Sequence, residues 1–342
     1  MTQTPALWNE LLDEFRTLGG IAENVRRGIG SHGAGIFPVD PAREVALRVP
    51  ENLLVPPQDL LVDAGRLAVR AGSALHHRER SFFERLHLHF GWSAGAFDDL
   101  FASQRQWAQL PDDVVAFLKA MGALTDPELR FAAPSEELCL YRFVRSREID
   151  YEGQMRIMPV VDFVNHSGGG RAFAIRNGAG VRGTYAGEVL VRYNVADPWA
   201  NAMTYGFADD APFAYSLSLT VELFGSARLS ILRKIGSAEV QGGIRYPHKR
   251  VEGNTIELSF VDLGNVRQPD LPRGIFRRLL RDHLTERQAD DVFESIARFN
   301  HSKFIEALRL LRKHDAPLVR VLEEAAIAQL DALSASVGAR SL

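Results

Sequence analysis

Apolar residues change their spacing several times along the chain, and each change predicts a change of structure. Residues 8–18 have the spacing of an amphipathic helix. Residues 21–50 have the pattern of short strands joined by turns, with the clearest alternation from Val45 to Val49. From Asp59 to about Leu124 the pattern is helical. The first third of the chain therefore predicts one helix, a β-rich block and then a helical stretch.

The rest of the chain begins β-rich and ends helical. Residues 158–224 are β-rich, and the alternation from Tyr215 to Leu223 predicts their clearest strand. After Leu271 the pattern is helical to the end, and Thr285 and Gln288 stand in the positions of a capping box. Two β blocks separated by a helical stretch and followed by helices predict a β domain with an insertion and a C-terminal helical domain.

Composition and charge are those of an ordinary soluble globular protein. The 342 residues are 46% hydrophobic and 24% charged, with a net charge of −3. A balance this close to zero gives no reason to expect nucleic acid or an anionic membrane as a partner. No apolar run approaches the roughly 18 residues that span a bilayer. Since the N-terminus also lacks the pattern of a signal peptide, we expect a cytoplasmic protein.

Cysteine and histidine give no sign of a metal site. Cys139 is the only cysteine, which excludes an intramolecular disulfide and a multi-cysteine zinc site. The histidines at His76, His77, His87 and His89 have no acidic or cysteine partner at ligand spacing. We expect them on a solvated helical face and expect no bound metal.

The segment from Gly28 to Gly33 has the spacing Gly-x-Gly-x-x-Gly, which also occurs in dinucleotide-binding folds. That fold needs a buried strand before the glycines and a helix after them. Here the charged residues 23–27 precede the segment, and Pro38 follows it. The segment therefore predicts a glycine-rich hairpin turn, where a ligand can approach the backbone amides closely.

The apolar run that begins at Ile157 ends abruptly in Asn165, His166 and Ser167, and three glycines follow. The run would deliver an amide, an imidazole and a hydroxyl to a point where the backbone turns freely. Polar groups placed in this way commonly build a small-molecule site. We therefore expect a ligand site at residues 165–167.

Several segments, in order along the chain, resemble motifs of SET-domain methyltransferases, particularly the Rubisco large-subunit methyltransferase class. Residues 159–167 resemble its Pro-x-x-Asp-x-x-Asn-His-Ser segment, and residues 31–37 its first cofactor segment. Residues 187–193 resemble the strand that enters the SET pseudoknot. Residues 204–207, Thr-Tyr-Gly-Phe, resemble the Tyr-Gly-Phe that carries the active-site tyrosine.

The resemblance implies an α+β protein with a β-rich, pseudoknot-like SET fold. Residues 1–55 and 141–226 would form the two parts of that fold. Residues 56–140 would form a helical insertion between them, and residues 227–342 a mostly helical substrate-binding domain. The cofactor implied is S-adenosylmethionine, which leaves as S-adenosylhomocysteine.

Residue roles follow from the resemblance position by position. Tyr205 would be the catalytic tyrosine, although packing in a β core is its ordinary alternative. A surface ion pair with Glu148 or Asp150 is the alternative for Arg147. The residues implied at the cofactor are His32, Gly33, Ala34, Arg147, Asn165 and His166. Those implied at the substrate are Asp162, Phe173 and Tyr215, and a packing role for Tyr215 stays open.

The activity implied is N-methylation of a lysine side chain in a protein or peptide. Methyl transfer would be in line, through a narrow channel with Tyr205 at the transfer site, so that alignment and exclusion of water dominate catalysis. The residues leave three alternatives open. The acceptor could be a histidine or a small-molecule amine, or the chain could be a non-catalytic SET-like interaction module.

Overall fold

The structure, a computed structural model, describes residues 5–122, 127–223, 227–233, 240–241 and 244–337. Helices and strands both occur throughout these ranges, so the protein is of the mixed α and β type that its sequence predicts. No helix within them is both long and apolar enough to cross a lipid bilayer.

The helices fall into two groups, one before residue 148 and one from residue 198 onward. The α-helices are α1 (Pro5–Thr17), α2 (His77–His89), α3 (Ala96–Ala108), α4 (Asp112–Ala120), α5 (Pro127–Arg130), α6 (Glu136–Arg147), α7 (Pro198–Tyr205), α8 (Leu271–Leu280), α9 (Glu286–Leu311) and α10 (Pro317–Val337). Short 3₁₀ turns occur at Glu51–Leu53, Pro57–Asp59, Trp92–Ala94 and Val161–Phe163.

The strands are short. Those before the middle of the chain are β1 (Ile21–Glu23), β2 (Val25–Gly30), β3 (Gly33–Pro38), β4 (Val45–Val49), β5 (Leu60–Asp63), β6 (Arg66–Val69), β7 (Glu148–Tyr151), β8 (Gln154–Ile157), β9 (Asn165–Ala172) and β10 (Ala174–Ile175). The others are β11 (Ala179–Gly183), β12 (Leu190–Arg192), β13 (Phe213–Tyr215), β14 (Leu219–Glu222), β15 (Arg228–Leu232), β16 (Val240–Gln241), β17 (Ile244–Arg245), β18 (His248–Glu252), β19 (Thr255–Ser259) and β20 (Asp262–Asn265).

Backbone contacts divide the chain into two compact units. The first comprises Met1–Arg105 and Ala133–Tyr193, and the second comprises Gln106–Ala132 and Asn194–Leu342. Each unit has apolar clusters of its own. The four-segment division made from the sequence, with boundaries after residues 55, 140 and 226, stays a prediction.

The first unit contains a four-stranded sheet with the order β1-β4-β11-β10, all neighbours antiparallel. The predicted apolar face of α1 is confirmed, because its apolar residues are buried: Trp8, Leu11, Leu12 and Phe15. Phe15 stacks on Phe82 of α2 with ring centroids 5.8 Å apart. Strand β4 confirms the strand predicted from the alternation at 45–49.

The glycine-rich segment forms a hairpin, as predicted. Strands β2 and β3 pair antiparallel from Val25 opposite Pro38 to Gly30 opposite Gly33, so Ser31 and His32 form the turn. No helix follows β3, and the chain has no dinucleotide-binding turn here.

The prediction of helix from Asp59 onward is wrong until α2 begins at His77. Strands β5 and β6 form an antiparallel hairpin there. Ala64 and Gly65 make its two-residue turn with φ of 48° and 75°. Consecutive positive φ values are those of the turn that matches the twist of a β-hairpin, and Gly65 adopts one of them without strain. The turn at Ala64 and Gly65 therefore outweighs the helical spacing of the apolar residues, and the segment forms a hairpin.

The second unit contains a four-stranded sheet with the order β14-β15-β19-β18, in which β15 and β19 are parallel. Strand β19 confirms the strand predicted around Ile256 and Leu258, both of which are buried. The single strand predicted from 215 to 223 is wrong in its middle, because β13 ends at Tyr215 and β14 begins at Leu219. Between them the Leu217 N–H donates to the side chain of Asn300 in α9 at 2.7 Å, outside any ladder.

Two predicted helix starts in this unit are confirmed. Helix α4 begins at Asp112, with Asp113 in its first turn. Helix α9 begins after Thr285, whose side chain accepts from the Gln288 N–H while the Gln288 side chain accepts from the Thr285 N–H. The cap of α9 satisfies backbone groups that the helix itself leaves without partners.

Asp197 is a fully buried carboxylate at the centre of the second unit. Its Oδ1 accepts from the Ala200 N–H at 2.8 Å, which caps α7, and from Arg233. Its Oδ2 accepts from the Tyr215 N–H at 3.0 Å and from Gln329 Nε2 at 2.9 Å. A buried charge is tolerated when it is paired and hydrogen-bonded in this way.

Asp262 is the second buried acid of this unit, on β20. Burial raises the pKa of Asp262 to about 8, although the Gly264 N–H that donates to its Oδ1 at 3.1 Å opposes the shift. The carboxyl therefore stays protonated at neutral pH in the folded protein.

His87 corrects the expectation of a solvated histidine face. His76 and His77 are exposed as expected, but His87 is fully buried, with its ring 4.3 Å from that of Phe83. Its position four residues after Phe83 places it on the apolar face of α2. Burial, with a smaller effect of Arg147, lowers the pKa of His87 to about 3.

Replacing Asp197 with Ala should destabilise the protein by about 3–5 kcal/mol, because Arg233 would be left as an unpaired buried charge. Urea unfolding should show a lower midpoint for Asp197→Ala. Asp315→Ala is the matched control, since Asp315 pairs with Arg320 on the surface and both side chains are exposed. An unchanged midpoint for Asp197→Ala would contradict the role of Asp197 as a structural centre.

The contribution of Asp262 to the free energy of unfolding should fall as pH rises from about 4 to 8, because an unfolded aspartate ionises near pH 3.9 while Asp262 stays protonated in the folded state. The Asp262→Asn variant has no carboxyl at this position and so loses this pH-dependent contribution. Between pH 4 and pH 8 the stability of this variant relative to the wild type should rise by up to a few kcal/mol. Each pKa unit of the Asp262 shift corresponds to about 1.4 kcal/mol. Urea midpoints at pH 4.5 and pH 8 measure it. Asp331→Asn, on an exposed face of α10, is the control, and an equal difference at both pH values would refute the prediction.

Candidate functional site

In the first unit, the tip of the β2–β3 hairpin is tied to the first residue of β9. The side-chain amide Nδ2 of Asn165 donates to the carbonyl of Ala34 at 3.1 Å and lies 3.4 Å from that of His32. The structure therefore brings together the hairpin residues and the asparagine that the sequence assigns to one ligand. These residues are separated by 131 and 133 positions in the chain.

Glu188 completes this cluster, and the sequence did not single it out. Its Oε1 accepts from Asn165 Nδ2 at 2.6 Å, and its Oε2 lies 3.0 Å from Nδ1 of His32. The Glu188 side chain is 8% exposed, whereas that of His32 is 45% exposed. One carboxylate therefore links the hairpin turn to the start of β9. Its only signal in the sequence is an acidic residue between Gly187 and the apolar Val189.

Two side chains pack so closely against the hairpin backbone at Gly35 that they leave no room for a Cβ. A Cβ at Gly35 would lie 2.3 Å from Glu188 Oε1 and 2.6 Å from Asn165 Nδ2. No side chain fits in that space without displacing both groups. The packing of Glu188 and Asn165 against the hairpin backbone thus requires glycine at residue 35.

His166 is the buried neighbour of Asn165 in β9. Its Nδ1 accepts from the Tyr193 N–H at 3.1 Å, so a neutral ring carries its proton on Nε2. Tyr193 also donates its hydroxyl to the Val164 carbonyl at 2.8 Å. Phe173 stacks on Tyr193 with ring centroids 6.4 Å apart. The structure thus joins His166 and Phe173 through Tyr193, a residue that the sequence motif contained without a role.

The expectation of a freely turning backbone after Ser167 is wrong. Residues 165–172 form strand β9, which pairs parallel with β12, and the register shifts between Leu190 and Val191. The glycines therefore lie within a strand, and a register irregularity takes the place of the predicted turn. Asn165 stands at the start of that strand.

Arg147 lies at the end of α6, and Asp162 lies in the 3₁₀ turn before β9. Arg147 Nε is 3.8 Å from Asp162 Oδ2, with side chains 24% and 0% exposed. The alternative of a surface pair with Glu148 is not observed, because Glu148 pairs with Arg145. Burial raises the pKa of Asp162 to about 7, against the opposing charge of Arg147. Neither oxygen of Asp162 has a hydrogen-bond partner in the described parts of the chain.

In the second unit, Tyr205 is the last residue of α7. Gly206 follows in the left-handed conformation and ends the helix. The Tyr205 ring stacks on Phe207 at 5.6 Å, and its hydroxyl oxygen accepts from Asn194 Nδ2 at 3.1 Å. Phe207 and Asn194 together fix both the plane of the ring and the position of the phenol oxygen.

Tyr215 is buried at the end of β13, also in the second unit. Its ring packs edge-to-face on Phe260 at 6.3 Å. Burial raises the pKa of the Tyr215 phenol above its usual value, and the nearby carboxyl of Asp262 adds to this effect. The phenol stays protonated, and both the packing role and the substrate role remain compatible with this position.

Metal ligation has no support in the parts of the chain that the structure covers. No three or more histidine, cysteine, aspartate or glutamate side chains come together there as a metal site. The single cysteine, Cys139, is buried in α6.

Comparison with known proteins gives one short sequence match and a set of structural ones. No protein-family model matches the chain. A stretch of 73 residues, 21% of the chain, is 33% identical to an uncharacterized protein of Aquifex aeolicus (strain VF5) and spans 60% of that protein's length.

Among solved structures, the protein resembles the SET domain of LSMT bound to lysine and AdoHcy, with a TM-score of 0.46 and 15% identity over 99% of this chain and 91% of that chain. It also resembles Rubisco LSMT bound to AdoMet, with a TM-score of 0.42 and 14% identity over 98% of this chain and 91% of that one.

Proposed function

We propose that the protein is an S-adenosylmethionine-dependent N-methyltransferase of the SET type that methylates a lysine side chain in a cytoplasmic protein or peptide. The observation that carries the proposal is the hydrogen bonding of Asn165 to the hairpin carbonyls of His32 and Ala34. These are the residues that the SET resemblance assigns to one cofactor, and they are distant in sequence. The proposal includes a SET fold split by a helical insertion and followed by a helical substrate domain.

The residues of the first unit fit the amino-acid end of S-adenosylmethionine. Arg147, whose Nε lies 3.8 Å from Oδ2 of the buried Asp162, would offer a cation to the cofactor's carboxylate. The side-chain oxygen of Asn165 offers an acceptor to its ammonium group. When bound, the cofactor supplies a methyl group made electrophilic by a positively charged sulfur. The hairpin backbone and His166 would hold the remainder of the molecule.

Tyr205 would align the acceptor nitrogen with the methyl group. Its phenol oxygen is held by Asn194, and its ring is held by Phe207, so it presents a fixed polar atom. Such an oxygen can accept weak C–H···O contacts from a polarised methyl group. Alignment of this kind accounts for much of the barrier lowering in a displacement that needs two atoms in line.

The acceptor amine must lose a proton before it can attack. Keeping lysine neutral at pH 7.4 costs about 4 kcal/mol, because its reference pKa is about 10.4. A water-poor channel next to a cationic sulfur lowers that pKa by desolvation and by like charge. The resemblance assigns Asp162, Phe173 and Tyr215 to the substrate.

Incubation with labelled S-adenosylmethionine and an extract of the source organism tests the function. Wild-type protein should transfer label to methyllysine in a protein. Tyr205→Phe should reduce the transfer rate by about a hundredfold, because a fixed polar group at the reacting atoms is lost, while the affinity for S-adenosylhomocysteine stays within about twofold.

Tyr141→Phe, on an exposed part of α6, is the control for loss of a phenol. Equal rates for Tyr205→Phe and wild type would remove Tyr205 from the mechanism. Label in histidine or in a small amine would replace the proposed acceptor, and binding without transfer would identify a non-catalytic module.

Asn165→Ala should weaken binding of S-adenosylhomocysteine by about tenfold or more, because a hydrogen bond to a charged ligand group is lost. Isothermal titration calorimetry measures the affinity. Asn254→Ala is the control, since Asn254 lies in an exposed turn between β18 and β19. Unchanged affinity in Asn165→Ala would count against the cofactor assignment.

A further inference from the structure

The amide of Asn165 has a fixed orientation, and Glu188 is the reason. Nδ2 faces three acceptors: Glu188 Oε1 at 2.6 Å and the carbonyls of Ala34 and His32 at 3.1 and 3.4 Å. An amide oxygen turned to that position would face three oxygens and would have no donor. The amide therefore keeps its NH2 group toward Glu188.

The same orientation settles what Asn165 can offer a ligand. With Nδ2 committed to these three oxygens, Oδ1 is the atom of the side-chain amide that remains to bind a ligand. Oδ1 accepts and cannot donate. The carboxylate of Glu188 behind the amide adds negative charge and polarises it in the same sense. A cationic donor, such as an ammonium group, therefore fits this position better than a carboxylate or a carbonyl.

We propose that Glu188 is a positioning residue that makes this site selective for the ammonium group of the ligand's amino-acid end, by holding the Asn165 amide with Oδ1 outward. This inference rests on the proposed function, because the ammonium group is that of S-adenosylmethionine. Glu188 acts through Asn165 and through its charge, and it touches neither the methyl group nor the acceptor nitrogen. His32 holds the second oxygen of Glu188 and so fixes the carboxylate itself.

A purely structural Glu188 would have a different consequence. It would tie the hairpin to β9, as the close approach at Gly35 also indicates, and its loss would loosen the whole site. Every ligand of the site would then bind less tightly. A positioning role affects only ligands that carry the ammonium group, so a set of related ligands separates the two.

Three ligands provide the test. S-adenosylhomocysteine carries both the ammonium and the carboxylate groups, S-adenosyl-3-thiopropylamine carries only the ammonium group, and 5′-methylthioadenosine carries neither. Calorimetry with Glu188→Ala, which removes both the acceptor for Asn165 Nδ2 and the charge, should show about tenfold weaker binding of the first two and a change below about twofold for the third. The retained affinity for 5′-methylthioadenosine also shows that the variant is folded. Glu44→Ala is the matched control, because Glu44 pairs with Arg182 on the surface of the same unit.

Two results would overturn the inference while leaving the proposed function standing. One is equal weakening of all three ligands by Glu188→Ala, which indicates a structural tie. The other is unchanged binding of all three. Failure of wild-type protein to bind S-adenosylhomocysteine would overturn the proposed function itself, and the inference with it.

Discussion

The hydrogen bonds of the Asn165 amide are the constraint on which the candidate site depends. One NH2 group joins the start of β9, the tip of the β2–β3 hairpin and the carboxylate of Glu188. A charge-assisted bond to a carboxylate that is almost excluded from water is stronger than a neutral one. These bonds therefore hold the end of the hairpin against the start of β9.

In the second unit, too, a buried carboxylate joins several elements by hydrogen bonds. Asp197 caps α7, and the helix ends eight residues later with Tyr205 as its last residue and Gly206 beyond it. Because both ends are fixed, the position of the phenol depends on the buried pair between Asp197 and Arg233. A charge that stabilises the fold of this unit thus also sets the residue to which we assign methyl transfer.

The parts of the fold that follow from local interactions could be predicted from the sequence. Helix α1, the glycine-rich hairpin and the capping box at Thr285 depend on residues within a few positions of one another, and all three are confirmed. The unpredicted features depend on distant partners. Leu217 leaves the strand pattern because Asn300, 83 residues further on, binds its N–H. Glu188 contacts His32, which is 156 residues away.

In the candidate site, likewise, the sequence indicated which residues are involved but not which groups they contact. Motif resemblance indicated Asn165 and the hairpin, since those residue types recur at that spacing. It could not indicate which atom of the amide faces a ligand, because that depends on the acceptors around Nδ2. Asp162 is a similar case. Its burial near Arg147 raises its pKa to about 7, and that shift follows from the packing around it and not from any neighbour in sequence. Electrostatic character therefore enters the site through tertiary contacts, and it is there that a SET-like chain can differ in ligand preference while keeping its motifs.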